Sequence, residues 1–267
     1  MSAYRLTLRA PLAARADLSG INPATLAGLS AQAVGWLTLP YGNGAVQLGD
    51  LFEVSEVEGG ALIIGGDPRL DFVGAQMAEG AIEVDGPVGV LAGSGMIGGS
   101  LLIRGDAGDG LAAGLEGGRV EVTGSAGAGV GGALTGDRQG MTAGTVSVAG
   151  SVGPSLGARM RGGLILVGGD AGPRAADGLI AGTLAVAGRL AAGAGRGMKR
   201  GTILVASAPD APAPGFVSTG PHDLVMLALL ARRVPELAGL FGGLTGRAER
   251  LVGNRLAGGT GEILVLQ

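Results

Sequence analysis

Between Met77 and Val205 one phrase returns seven times: Met or Leu, two residues, Gly, then aliphatic residues two and four places on. Its glycines are Gly80, Gly99, Gly118, Gly144, Gly163, Gly182 and Gly201, spaced by 19, 19, 26, 19, 19 and 19 residues. Gly60 lies a further 20 residues upstream. Met77, Met96, Leu115, Met141, Met160, Leu179 and Met198 stand three places before the seven glycines. Pairs such as Ile82/Val84, Val120/Val122, Ile165/Val167 and Ile203/Val205 follow them. Period two with β-branched enrichment predicts a short strand in every repeat, with one face inward. Gly86, Gly105, Gly124, Gly150, Gly168 and Gly188 close these strands, where a turn with positive φ is expected. A fixed period with no helical stretch between strands predicts stacked units. The fold class expected is all-β, a right-handed parallel β-helix with about 19-residue coils.

Both ends break the pattern, giving an N-terminal cap over 1–59, the β-helix over 60–208, and a linker, helix and final strand over 209–267. In the cap, Tyr4 to Leu8 alternates like a strand, and Asn22-Pro23 opens a short helix through Leu29. Trp36 to Leu39 and Val46 to Val54 read as strands around the Tyr41-Gly42-Asn43-Gly44 turn. A stack needs such a cap because its last unit exposes apolar surface and unpaired edges. At the other end, Pro209, Pro212 and Pro214 form a linker. A helix then runs from about Pro221 to Arg233, capped by Thr219 or Gly220. Leu224 to Leu230 leave it almost no polar side, so it needs cover all round. Gly261 to Val265 repeats the coil pattern and returns to the sheet.

Outward positions carry a second pattern. They are polar in the early repeats (Glu83, Asp85, Glu121, Thr123) and apolar later (Leu164, Leu166, Ala185, Ala187, Leu204). A solvated strand alternates polar outward, so the later run marks a covered face. The cover is either the C-terminal helix or another chain. Leu164, Leu166, Leu204, Met226 and Leu229 are therefore candidate interface residues. The seven extra residues between Gly118 and Gly144 make a polar insertion, with Asp137, Arg138 and Gln139 as a candidate partner loop.

Composition narrows the chemistry. The chain has 57 Gly among 267 residues and 3% aromatics, as suits a narrow core of aliphatic columns. A net charge of −3 gives no case for nucleic acid or anionic lipid as partner. Without cysteine there is neither a disulfide nor a thiolate metal site. Met1 to Arg9 lacks a signal-peptide pattern, and the longest apolar run, Leu224 to Ala231, is too short to span a bilayer. A cytoplasmic protein outside the membrane is expected. Gly93-x-Gly95-x-x-Gly98 and Gly127-x-Gly129-x-x-Gly132 match the dinucleotide fingerprint in letters, but sit in periodic turns rather than between strand and helix. Asp67, Asp106 and Asp170 recur seven residues after their glycines, where carboxylates cap turn amides. His222, the one histidine, has only Asp223 as an acidic neighbour and reads as a contact at the helix start. No catalytic, cofactor-binding or metal-ligating residue is expected in this chain.

Gly42-Asn43, Leu48-Gly49-Asp50-Leu51-Phe52-x-Val54, the Met-x-x-Gly-x-aliphatic-x-Val coils, and Val252-Gly253-Asn254 leading to Gly259-Thr260-Gly261-Glu262-Ile263 together resemble the C-subunit family of formylmethanofuran dehydrogenase. The likeness is closer to the bacterial formyltransferase/hydrolase branch than to the molybdenum or tungsten enzymes. Eighteen of the 19 basic residues are arginine, Lys199 being the exception, which goes with the bacterial form. The coils alone also resemble the C-terminal β-helix spacer domain of the glutamate synthase large subunit. The starting methionine and N-terminal cap favour the first family.

The resemblance implies a non-catalytic scaffold in a hetero-oligomer of one-carbon metabolism and methylotrophy. Its partners would resemble a metal-dependent amidohydrolase, a molybdopterin-type enzyme and a formyltransferase. Those partners would move a formyl group from formyl-tetrahydromethanopterin to a methanofuran-type carrier and hydrolyse it to formate. Metal and formyl carriers would reside in the partners, with no cofactor in this chain.

Overall fold

The computed structural model describes residues 3–267. Met1 and Ser2, where the expected cap begins, lie outside the described residues. The N-terminal part comprises β1 (Ala3–Leu8), β2 (Ala16–Asp17), α1 (Pro23–Leu26), α2 (Ala31–Gly35), β3 (Thr38–Tyr41), β4 (Gly44–Gln47), α3 (Leu48–Leu51) and β5 (Phe52–Val57). The repeats supply β6 (Ala61–Gly65), the short β7 (Leu70–Asp71), β8 (Ala81–Asp85), β9 (Ser100–Ile103), β10 (Arg119–Val122), β11 (Thr145–Val148), β12 (Leu164–Val167), β13 (Thr183–Val186) and β14 (Thr202–Val205). The C-terminal part holds β15 (Val217–Asp223), α4 (Val225–Arg233), α5 (Pro235–Leu240), β16 (Arg247–Gly253) and β17 (Gly261–Leu266).

The protein is mostly sheet, and its centre is one large parallel array. From β6 through β14 the main strands pair in parallel, each with the next, and Leu62, Ile82, Leu101, Val120, Val146, Ile165, Leu184 and Ile203 stand in one register. All eight are buried, as are the residues two places on, from Ile64 to Val205. Each such side chain contributes about 1.5–3 kcal/mol through burial. The Met/Leu column from Met77 to Met198 is also buried, as is the column Val73, Ala92, Leu111, Val130, Leu156, Ala175 and Ala194, so several side-chain columns together fill the interior. A second line of parallel bridges, Val88↔Ala107↔Ala126↔Val152↔Ala171↔Leu190, runs along another stretch of the repeats. Between these lines the backbone still bonds one repeat onward, as in Glu116 N–H to Met96 O (2.8 Å) and Ala112 N–H to Ala92 O (2.8 Å). The 26-residue interval leaves the register intact, since Val120 faces Val146 directly.

Glycine placement differs from the sequence expectation. Positive φ falls on the anchor glycines, from Gly80 (89°) to Gly201 (95°), and among the strand-closing glycines only on Gly86. The others are required by close approach instead: a Cβ on Gly105 would lie 2.6 Å from the Gly86 carbonyl carbon.

The ends extend the same array. β1 pairs in parallel with β6 and antiparallel with β5, while β4, β3, β2 and β7 form a separate four-stranded sheet. Buried Asp67 and Asp71 fasten this part to the repeats. Asp67 accepts from Leu12 N–H (3.1 Å); Asp71 accepts from Arg15 Nε (2.7 Å) and Val90 N–H (2.8 Å). β17 pairs with β14 in the repeat register, Ile203 facing Ile263, and β16 and β15 add antiparallel strands outside it.

Four local expectations are corrected. The helix opened by Asn22 has its capping box but stops at Leu26, short of Leu29, before Gly28 at φ 76°. The stretch 36–39 begins instead as the end of α2, whose cap is Trp36, and the strand starts at Thr38. The stretch 46–54 is broken by α3, where Asp50 accepts from Gln47 N–H (3.2 Å) and Leu48 turns into the core. Residues 217–223 are a strand, not a helix start: Pro221 faces Glu249 and His222 faces Ala248 of β16, and the helix begins only at Val225. Proline is tolerated because β15 is an edge strand with a register shift beside it.

Candidate partner-docking surfaces

The outward apolar run of the late repeats lies under this chain's own helices. Leu166, Ala185, Leu204 and Leu264 of the sheet form a cluster with Leu227 of α4, Leu237 of α5 and Ala248 of β16, all buried. Leu164 sits half-buried at its rim beside Leu224, Leu230 and Val234. Leu164, Leu166 and Leu204 are thus removed from the candidate docking surface, because side chains at i and i+3 on α4 (Leu227, Leu230) press onto them. Arg119 of β10 tethers the start of α5 through Glu236 (3.0 Å). The Glu236 carboxyl is held below its ordinary 4.5, first by its own backbone N–H and then by Arg119.

The opposite side of α4 has no such cover among the described residues. Val225 is 76% exposed, Leu229 56% and Met226 38%, and Arg232 and Arg233 follow in the last turn. Met226 and Leu229 are therefore brought together on one accessible face. Val225 joins them and was missed, although its i, i+4 spacing to Leu229 is the signal that finds it.

Asp137, Arg138 and Gln139 lie exposed in the insertion, which folds back on the repeats. Arg159 Nη1 donates to the Asp137 carbonyl (3.2 Å) and Arg161 Nη1 to Gln139 Oε1 (3.2 Å). Beneath the insertion runs a groove of about 780 Å³ lined by Gln76, Ile97, Glu116, Leu134, Arg138 and Thr142 among others. Gly95, Gly114 and Gly140 also line it.

The remaining polar candidates have structural roles. Asp106 Oδ1 accepts from Ser125 N–H, and Asp170 Oδ1 from Arg189 N–H, both at 2.7 Å and one repeat onward. Ser125 accepts likewise from Ser151 N–H (3.2 Å). The ladder of carboxylates and hydroxyls therefore links successive turns. His222 lies on β15, with its Nε2 3.0 Å from Thr219 Oγ1, and does not sit at a helix start. Both glycine-rich motifs fall in turns of the repeats, with Gly93, Gly95 and Gly129 at positive φ. Among the described residues no three acidic, histidine or cysteine side chains form a metal-binding group, and no helix is long and apolar enough to cross a membrane. On the polar outward face Arg104 bonds Glu83 (2.6 Å) and Asp85 (3.0 Å), which raise its pKa, the Glu83 hydrogen bond most.

No protein-family model matches the sequence. Over 85 residues, 32% of this chain and 32% of the relative, it is 44% identical to the C subunit of the formyltransferase/hydrolase complex Fhc of Methylorubrum extorquens. That alignment spans about a third of the relative's length. The fold matches a chain in the X-ray crystal structure of the formyltransferase/hydrolase complex (FhcABCD) from Methylorubrum extorquens in complex with methylofuran. There the TM-score is 0.89 at 38% identity, over 98% of this chain and 99% of that one.

Proposed function

The chain belongs to the C-subunit family of the formyltransferase/hydrolase complex, and from that premise we propose that it is a non-catalytic scaffold of such a complex. Its repeats wind as a right-handed parallel β-helix, a reading supported by backbone bonds joining each repeat to the next along several lines. The hand follows the rule for parallel crossovers. The catalytic work falls to the partners: a metal-dependent amidohydrolase, a molybdopterin-enzyme-like protein and a formyltransferase. They pass a formyl group from formyl-tetrahydromethanopterin to a methanofuran-type carrier and release formate, and the assembly works in the cytoplasm. This chain supplies rigid surfaces against which they are held.

The observation that carries the scaffold reading is α4. Its inner side closes the apolar sheet face, and its outer side presents Val225, Met226 and Leu229 to solvent. A helix apolar on both sides is stable in a protein that has a neighbour. The test is the double variant Met226→Glu/Leu229→Glu in a co-expressed complex. The repeats stay folded, and the chain elutes apart from the complex on gel filtration. Unchanged co-elution overturns the assignment of this face. A scaffold also shows no formyl transfer or hydrolysis when purified alone, and measurable turnover by the isolated chain overturns the non-catalytic role.

A further inference from the structure

Charge is divided unevenly along the stack. Residues 53–121 hold 12 acidic and 3 basic side chains, whereas residues 159–200 hold 7 basic and 2 acidic. In the second stretch Arg159, Arg161, Arg174, Arg196, Lys199 and Arg200 all fall in the turn segments that precede a strand, and all six are exposed. Only Arg196 of these six has a carboxylate partner among the described residues, Asp177 at 2.6 Å. Arg159 and Arg161 donate to the carbonyl of Asp137 and the amide of Gln139, and Lys199 to the carbonyl of Ala257. None of these acceptors neutralises a charge.

Two of these side chains lie against a glycine of the next repeat. The Arg159 Cγ lies 3.5 Å from where a Cβ of Gly178 would stand, and the Arg174 Cγ 3.6 Å from that of Gly193. Each alkyl stem lies over the bare backbone of the following repeat, so the cations form a band across neighbouring repeats. Strands in such a stack are about 4.8 Å apart, so along the stack three repeats separate these charges by only about 10 Å. That is close to the screening length at physiological salt, and the unneutralised members repel. That repulsion is a cost to the isolated chain.

We propose that this basic flank, on the repeats anchored by Gly163, Gly182 and Gly201, docks an acidic surface of a partner protein. The inference rests on the scaffold reading and adds the partner's charge and the face it meets. A protein surface fits better than a nucleic acid or a lipid sheet. The band is only about three repeats long, and the acidic half of the same chain, at net −3 overall, repels an extended polyanion. Arg159 and Arg161 also hold the Asp137–Gln139 insertion, so the insertion borders the same surface.

The test uses the reconstituted complex with Arg174→Glu/Arg200→Glu, because neither residue pairs with a carboxylate among the described residues. Arg174→Lys/Arg200→Lys keeps the charge and serves as the control. Unfolding temperature reports that the variants fold. At about 50 mM salt the reversed variant associates with the partners at least tenfold more weakly than wild type, and the lysine variant stays close to wild type. Raising salt to about 300 mM weakens the wild type severalfold and the reversed variant little. Wild-type association by the reversed variant overturns the docking proposal while leaving the scaffold reading intact. Capture of the wild type by anionic vesicles or single-stranded nucleic acid, with no salt effect on partner association, overturns it as well. A wild-type chain that never joins the partners overturns the scaffold reading itself.

Discussion

Leu227→Ala should loosen α4 and α5 while leaving the repeats untouched, and the structure sets the size of the effect. Leu227 is fully buried, packed among Leu166, Ala185, Leu204 and Leu237. Truncating a buried leucine costs about 2–5 kcal/mol, more where the surroundings cannot collapse into the cavity. The covering helices are short, nine and six residues, and free to settle onto the sheet, so about 2–3 kcal/mol applies here. Leu229, 56% exposed on the outer side, loses only about 0.5–1 kcal/mol on the same truncation. Because helices with few buried contacts open without global unfolding, amide hydrogen exchange is the assay. Amides bonded within the cover, such as Val234 N–H to Leu230 O (2.8 Å), should exchange about 30- to 160-fold faster in Leu227→Ala. The amides of β10 and β11 should keep their wild-type rates. Equal acceleration in Leu227→Ala and Leu229→Ala would refute the two-sided account of α4. A rise in β10 and β11 matching that in the helices would show that the cover and the repeats open as one unit.

Two further outcomes test the interior and the tether. Val167→Asp, placing a carboxylate in a fully buried column, should cost about 3–5 kcal/mol, whereas Glu121→Ala on the outward face should shift the unfolding temperature little. The folded-state pKa of Glu236 is depressed, so the Arg119–Glu236 contribution is present above the ordinary glutamate value of 4.5 and is lost as pH falls through the lower folded value. The protection of α5 amides, corrected for the intrinsic exchange rate at each pH, should therefore fall on acidification through that window in the wild type, and Glu236→Gln should abolish that fall.

The columns were legible because every repeat states the same local rule. Alternating aliphatic residues after a glycine define an inward face, and a constant interval stacks those faces. Register follows from the count alone, and the seven-residue insertion moves none of it: Val120 still meets Val146. What the count leaves open is why each glycine is glycine. The anchors need left-handed backbone, whereas Gly105 or Gly188 needs room for a backbone or a carboxylate of the previous repeat. Both requirements read as the same letter. At the ends the rule has no repetition to average over. Pro221-His222-Asp223 carries the marks of a helix start, yet pairing with Arg247–Glu249, more than twenty residues away, holds it extended. Leu48–Leu51 likewise turns as a helix inside an alternating stretch because Asp50 captures the Gln47 amide and Leu48 reaches the core.

The two apolar signals, outward leucines on the late repeats and a helix without a polar side, were each visible alone but not how they combine. A sheet face can satisfy only one side of a helix. Once Leu227 and Leu237 meet Leu166 and Leu204, the leucines of the sheet are accounted for, and what is left unsatisfied moves outward to Val225, Met226 and Leu229. The demand for cover is relayed through one layer. The basic band occupies a different stretch of each repeat, the turn before the strand instead of the strand itself. On the proposed reading the chain thus offers an apolar helix face and a charged flank on separate parts of its perimeter. Two unlike surfaces of this kind select unlike neighbours, since an acidic surface leaves Val225, Met226 and Leu229 uncovered and an apolar one leaves the arginines of the flank unpaired. On the same reading, that difference in chemistry would let a repetitive stack hold distinct partners at defined places.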